Sequence, residues 1–488
     1  MLISNAYRRL TALRQAPTVQ QINGFLASPA YILLTAALTA LCNLAGLEAV
    51  VYPLFVLIAV YTCLLGKDLL ALMPLLLFCY LAPSRWSNPG RFDTSFFYRS
   101  GGLLTVLAVI LVLAVVFRVL TDPQWGGKAF FTKKRSLAPG LLLLWLAFSF
   151  SGIGSADFGL KSIAFGFLEG AAFAVPYFLF SAAVDWENTR KDYFAWIGFA
   201  AGCLLLAELL GIYCGYQVVS PRLFNADRSG RGDVVLLIHR GQIYTGWGMH
   251  NNIGGMLAMM IPFAFYLASR YRKGWIGTVM GSLFLVGVIF TCSRGSILFG
   301  FAAWAVCIVL LVLSAKNRRG NLIALCAVIL TVVTTVGLFY GELKVLFYDL
   351  ISMGADPSGR DWLYRNAWEL FTQNPLFGST FYPPEDMSWS WSHIKDFLGF
   401  FPARWHNTPL QLLATGGIFA MAVYLFHRFQ TLRLFLRDKT REKAFIGCAV
   451  LVLLGCSLLD CHLFNIGPTL FYSMVLAFAE NCVRITKL

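Results

Sequence analysis

Apolar residues run along this chain in blocks of about twenty, divided by short polar turns, from Tyr31 to the C-terminus. Fourteen such segments are read, with approximate limits 29–47, 49–66, 69–83, 102–120, 136–154, 161–183, 194–215, 253–269, 275–292, 295–315, 321–340, 408–427, 445–460 and 464–481. A backbone surrounded by lipid has no water to bond, so it must pair its own N–H and C=O groups; helices do this within one segment. A spanning β-barrel would instead alternate apolar and polar residues over about ten positions, and no such alternation recurs. The expected fold class is therefore all-α: a polytopic transmembrane helical bundle of about 14 (12–14) spans. A large extracytoplasmic loop containing short helices is expected at 341–407.

Composition agrees. The 488 residues are 58% hydrophobic and 13% charged, with mean hydropathy +0.68; a soluble domain carries about 25% charged residues. This excludes an ordinary soluble enzyme, a disordered chain and a soluble nucleic-acid binder, so no nucleic-acid partner is expected. The net charge of +15 reads as topology, because cytoplasmic loops collect Lys and Arg. With the N-terminus inside, 25 of the 39 basic residues fall in inside loops, including the turns at 269–274 and 315–320 and the loop 427–443. Both termini are then cytoplasmic. The expected organisation is an N-terminal membrane region 1–215, an extracytoplasmic loop 216–252, a central membrane region 253–340, the large loop 341–407 and a C-terminal membrane region 408–488. No cleavable signal is expected near the start, and the twelve cysteines, none in a CxxC pair, read as free thiols.

Polar chemistry collects on the expected outer side. Arg222, Arg228, Arg231, His239, Arg240, His250, Asn251, Asn252, Arg294, Arg360, Arg365, Arg404, His406, Asp460 and His462 all lie in outer loops or at outer helix ends, with five of the six histidines among the outer residues. Arg294 is the sharpest case. It sits between two apolar runs with almost no loop, where a guanidinium is costly unless it faces a cavity or an anion; the structural alternative is a turn residue reaching the headgroups. Arg240 precedes a Gly-rich stretch, with glycines at 241, 246, 248, 254 and 255 that would let backbone approach a ligand closely. His406 stands at the mouth of the span after the large loop, and histidine exchanges a proton near neutral pH. Asn407 could orient it or a sugar hydroxyl. Asp460 either pairs with an arginine or orients His406. The Gly416-Gly417 pair suits close helix packing.

Within the large loop, SGRDWLYRNAWELFTQNP reads as a helix, started by a Ser358/Asp361 capping box and ended at Asn374-Pro375. Trp362, Leu363, Ala367, Leu370 and Phe371 suit a helix lying on the membrane surface. Trp389, Trp391 and Trp405 suit an interfacial position.

No HExxH, Walker, GxSxG, dinucleotide or EF-hand motif is present, and no external acidic pair suggests a divalent metal. No cofactor and no metal ligands are expected, and arginines would hold phosphate. Four segments, GWGMHNNIGGMLAMMIPFAF (246–265), TCSRGSILFG (291–300), SGRDWLYRNAWELFTQNPLFG (358–378) and HNTPLQLLATGG (406–417), resemble the O-antigen ligase and O-antigen polymerase superfamily of bacterial membrane glycosyltransferases. The resemblance covers roughly 220–425.

It implies a site on the outer face of the bacterial cytoplasmic membrane that moves a glycan from a polyprenyl (undecaprenyl) diphosphate donor to a glycan or lipid acceptor. Arg240, Arg294 and Arg360 would bind the diphosphate. His406 would be the general base, with Asn407, His250, Asn252 and Asp460 in support and Arg294 also acting in the chemical step. The acceptor separates a ligase from a polymerase, and both stay open beside a protein O-oligosaccharyltransferase. A flippase or other transporter is the reading from another class. It is disfavoured because the polar groups sit at one face and no internal repeat is visible.

Overall fold

The computed structural model describes residues 10–79, 100–121, 135–156, 158–219, 244–245, 248–346, 360–380 and 405–484. Within them the chain is helical apart from a two-residue antiparallel ladder, β1 (Tyr244–Thr245) with β2 (Gly248–Met249). The helices are α1 (Pro17–Leu26), α2 (Pro29–Ala45), α3 (Glu48–Leu65), α4 (Leu72–Cys79), α5 (Gly101–Thr121), α6 (Ala138–Ser149), α7 (Leu160–Ala183), α8 (Tyr193–Val219), α9 (His250–Arg270), α10 (Trp275–Phe290), α11 (Arg294–Ser314), α12 (Arg318–Leu338), α13 (Tyr340–Leu346), α14 (Arg360–Gln373), α15 (Thr408–Leu436), α16 (Arg441–Leu459) and α17 (Ile466–Asn481).

Every one of the fourteen apolar segments contains a helix, though among the described residues not every one of these helices is long enough to cross. Among the described residues nine helices are long and apolar enough to cross a membrane, or ten if the bent pair α1–α2 counts as one. The eight residues of α4 rise only about 12 Å against a hydrocarbon core of about 30 Å, and α6 has twelve residues. The expected loops 216–252 and 341–407 fall largely outside the described residues.

The bundle is built around α9, buried without interruption from Ile253 to Ser269, against α8, α10, α11 and α16. At the rim, α5 and α12 bury little of themselves and turn Leu113, Leu120, Leu330 and Val333 outward. Apolar side chains on the outside are what lipid contact requires. One buried polar pair links two helices: the Asn43 side chain donates to the Glu208 carboxyl at 2.7 Å between α2 and α8.

Helix α15 departs most from the sequence expectation. It starts where Asn407 caps it, its side-chain oxygen accepting from the Leu410 amide at 2.9 Å. It continues past 427 to Leu436, so His427 and Arg428 belong to the helix and not to an inside loop, and His427 is fully buried. At Gly417 the backbone leaves helical geometry (φ 64°, ψ −163°). The Gly416-Gly417 pair therefore marks a break in α15 and not a smooth packing face. The turn after α14 plugs that break. Ile418 donates to the Pro375 carbonyl at 2.8 Å, Phe419 to that of Leu376 at 3.2 Å, and Ser379 to that of Ala414 at 2.8 Å. Ser151, in the turn after α6, donates to the Thr415 carbonyl, and the Gly152 amide donates to that of Phe377 at 2.7 Å. The Ile418 and Phe419 amides and the Ala414 and Thr415 carbonyls thus find partners across the break, as irregular backbone at membrane depth requires.

Helix α14 forms where the sequence places it and ends at Asn374-Pro375 as expected; Ser358 lies outside the described residues. Its orientation differs. Ala367, Leu363 and Leu370 pack on Trp405, Leu410 and Ala414 of the α15 segment, while Trp362 and Trp368 are half exposed. Trp405 is fully buried, contrary to an interfacial position, because the α14 face covers it and Asn366 accepts its indole N–H at 3.0 Å. Trp389 and Trp391 lie outside the described residues.

Candidate functional site

Helices α9, α11, α15 and α17 all begin, and α16 ends, at one end of the bundle. Asn251, Asn252 and Asn407 each take part in the contacts that bring these termini together. Asn407 donates to the Leu458 carbonyl at 3.0 Å, joining the start of α15 to the end of α16. Asn252 accepts from Asn465 at 2.7 Å, joining the start of α9 to the segment before α17. Ser296 in the first turn of α11 donates to the Asn251 carbonyl at 3.3 Å and bonds Ser293 at 2.9 Å.

Two adjacent glycines set this assembly. A Cβ on Gly254 would lie 2.6 Å from the Thr291 hydroxyl and 2.9 Å from Ser296, in the turn that carries Arg294. A Cβ on Gly255 would lie 2.4 Å from the His462 ring. They therefore bring α9 against the Arg294 turn on one side and the Asp460–His462 segment on the other, and their close approach is to protein. Gly248 packs on the Asn252 side chain, while Gly241 and Gly246 lie outside the described residues.

His406 bonds Asp460, Nδ1 to Oδ1, at 3.0 Å. The two residues are 54 positions apart in sequence, and of the alternatives open for Asp460 this is the one the fold adopts. An ionised carboxylate only accepts, so Nδ1 carries a proton towards it; whenever the ring is neutral, the lone pair is then on Nε2. Asp460 Oδ1 also accepts from the Cys461 amide at 2.6 Å. Burial by itself would raise the Asp460 carboxyl; the His406 hydrogen bond and charge, aided by His462 and the Cys461 amide, outweigh it and hold the group well below the ordinary carboxylate range. A depressed carboxyl stabilises the fold above about pH 4, its unfolded value, and loses that contribution only as pH falls through the lower folded value.

His406 has φ 50° and Cys292, two residues before Arg294, has φ 53°. A left-handed non-glycine residue costs about 1–2 kcal/mol and persists where its surroundings over-determine it. Both motifs thus hold a strained residue beside the side chain they present. Arg294 opens α11, half-buried, with Nε and Nη2 shielded from solvent. Its neighbour Gly295 packs on Leu459, the residue before Asp460, which places the Arg294 turn beside the His406–Asp460 pair. Four helix N-termini at one place add positive potential from their unpaired amides.

Arg360 opens α14, half-buried. One turn on, Tyr364 has Arg360, Asn407 and Asp460 as neighbours. Burial pushes its phenol up, Arg360 opposes, and Asp460 adds to the rise. Sequence reading did not select Tyr364, although its i+4 spacing from Arg360 puts both on one helix face. Asn465 and Gln411 were missed as well, because nothing local marks them. His250, the first residue of α9, is buried beside this end. Arg222, Arg228, Arg231, Arg240 and Arg404 lie outside the described residues. Among the described residues no group of three or more His, Cys, Asp or Glu is arranged to hold a metal ion.

A family model described as O-antigen ligase matches residues 257–425, roughly a third of the chain. The matched span runs from the second turn of α9 into α15 and includes Arg294, Arg360, His406 and Asn407. It supports the resemblance to the O-antigen ligase and polymerase superfamily and, with it, a multi-pass membrane enzyme acting on glycans. No curated protein matches the chain.

Proposed function

We propose that this chain, with its O-antigen ligase segment at 257–425, is an inverting glycosyltransferase that moves a glycan from a polyprenyl diphosphate donor to an acceptor hydroxyl. The site faces the extracytoplasmic side of the cytoplasmic membrane, with Lys and Arg collected on the opposite side. The observation that carries the reading is the His406–Asp460 pair at 3.0 Å, set where Arg294 begins its helix.

The acceptor hydroxyl gives its proton to Nε2 of His406 as its oxygen attacks the anomeric carbon. The bond from that carbon to the diphosphate oxygen breaks, and the electron pair leaves on the polyprenyl diphosphate. Asp460 holds the Nδ1–H tautomer and stabilises the imidazolium that forms. Arg294 and Arg360 bind the diphosphate, and Arg240 belongs to the same proposal. Fixed guanidinium groups and helix ends stabilise the negative charge that develops on the leaving group, so no metal or cofactor is required. One displacement inverts the anomeric configuration. His250, Asn252 and Asn407 support the site by holding its helix ends together.

The test is reconstitution with a lipid-diphosphate glycan and candidate acceptors, with products resolved by mass. A lipid A-core acceptor makes the protein a ligase, and a second lipid-linked repeat makes it a polymerase. Donor unchanged with every acceptor, but moved across a vesicle bilayer, supports the transporter instead. Arg294→Lys keeps the charge and loses the planar fork; kcat/KM for the donor falls about tenfold to a hundredfold. Asp460→Asn, which no longer enforces the tautomer, lowers kcat by about tenfold or more with donor KM little changed. Wild-type kinetics in both variants would remove the proposed roles.

A further inference from the structure

His406 and Asp460 lie on separate segments, and something must hold those segments at bonding distance. One side chain touches both. The Oε1 of Gln411, in the first turns of α15 and buried, accepts the backbone N–H of Trp405 at 3.2 Å and the thiol of Cys461 at 3.4 Å. Trp405 immediately precedes His406, and Cys461 immediately follows Asp460. Together with the His406–Asp460 bond at 3.0 Å, these contacts close a ring through Gln411, Trp405, His406, Asp460 and Cys461.

The ring explains how His406 keeps its left-handed backbone. On one side the Trp405 amide is tied to Gln411. On the other, the Asn407 side chain accepts from Leu410 at 2.9 Å and donates to the Leu458 carbonyl at 3.0 Å. With both flanking residues fixed, φ at His406 has nowhere to relax. A buried carbonyl oxygen is well suited to the task, since its two lone pairs take one donor from each segment. An apolar side chain would remove the acceptor that the buried Trp405 N–H and the Cys461 thiol share.

We propose that Gln411 is a positioning residue for the transfer reaction, acting through the His406–Asp460 pair without touching substrate. This rests on the reading of His406 as the general base. Gln411→Met has similar length and no acceptor. In the reconstituted full-length protein kcat falls about tenfold to a hundredfold, the cost of a small misplacement of a reacting group. Donor KM stays within about twofold, because Gln411 holds the base and not the diphosphate. Gln411→Met combined with His406→Ala is no slower than His406→Ala alone, since the two act as one unit.

Where Gln411→Met fails to fold, the thiol end decides. Cys461→Ala lowers kcat severalfold and Cys461→Ser, which keeps a donor, restores it. The proposal is overturned if Gln411→Met folds with wild-type kcat, if its loss adds to that of His406→Ala, or if Cys461→Ala and Cys461→Ser turn over alike. Should His406→Ala itself retain full activity, the reading of the base fails instead, and that outcome is seen before any Gln411 variant is made.

Discussion

Replacing His406 with alanine is expected to lower glycan transfer by about a thousandfold, the middle of the range for removing a general base, while donor binding is retained. In the proposed mechanism the imidazole takes the acceptor hydroxyl's proton; its Nδ1 is bonded to Asp460 at 3.0 Å. Arg294 and Arg360 stay in place in the variant, so the proposed diphosphate site is untouched. His406→Asn is the sharper form of the experiment. Asparagine accepts a left-handed backbone more readily than most residues, so the φ of 50° is kept and only the proton acceptor is lost. Both variants should be equally slow under single-turnover conditions, with unchanged retention of labelled donor. Transfer within a few-fold of wild type in His406→Asn would show that this position shapes the backbone and carries no proton.

The second large effect is on folding. Gly417→Ala should abolish most of the folded protein, because the added Cβ would lie 2.5 Å from the Leu376 carbonyl carbon and oxygen and 2.6 Å from the Phe377 nitrogen. These are backbone atoms in a turn bonded to both sides of the break in α15, so none can move without opening the Pro375–Ile418 and Leu376–Phe419 hydrogen bonds. The φ, ψ pair of 64°, −163° lies where glycine alone is at ease, and strain there costs about 1–3 kcal/mol. Overpacking adds about 1–3 kcal/mol, a sum that is a large part of a typical total stability. The monodisperse fraction after extraction and the thermal midpoint both report it. Gly337→Ala is the control: it lies in the exposed helix α12 with nothing within 4 Å of a Cβ, and alanine there should leave the midpoint unchanged or raise it. Equal midpoints for Gly417→Ala and wild type would mean that α15 is continuous at this point.

Several of these features were visible in the residues themselves. The run from Arg360 to Pro375 carries its own helix pattern and stop signal. Arg294 stood out because a guanidinium between two apolar runs is costly to place, and His406 because an imidazole at the mouth of a span exchanges a proton near neutral pH. The same reasoning misplaced Trp405. Tryptophan near a membrane surface suits the interface in general, but α14 folds over this one, and no property of residue 405 announces that. Gly417 was read for its small size, when its backbone conformation is what the break requires.

Hydropathy and capping act within a few residues of a position, and the bilayer forces any long apolar run to satisfy its backbone as a helix; the all-helical membrane class and the outline of most helices were therefore written in the chain alone. Partnerships across the bundle were not. That Asp460 meets His406 across 54 residues, that Gly254 and Gly255 seat two different segments, and that Gln411 ties those segments together depend on which helix ends the packing brings side by side. Packing is decided by the shapes of many side chains at once, so these contacts exist only once the whole bundle has formed.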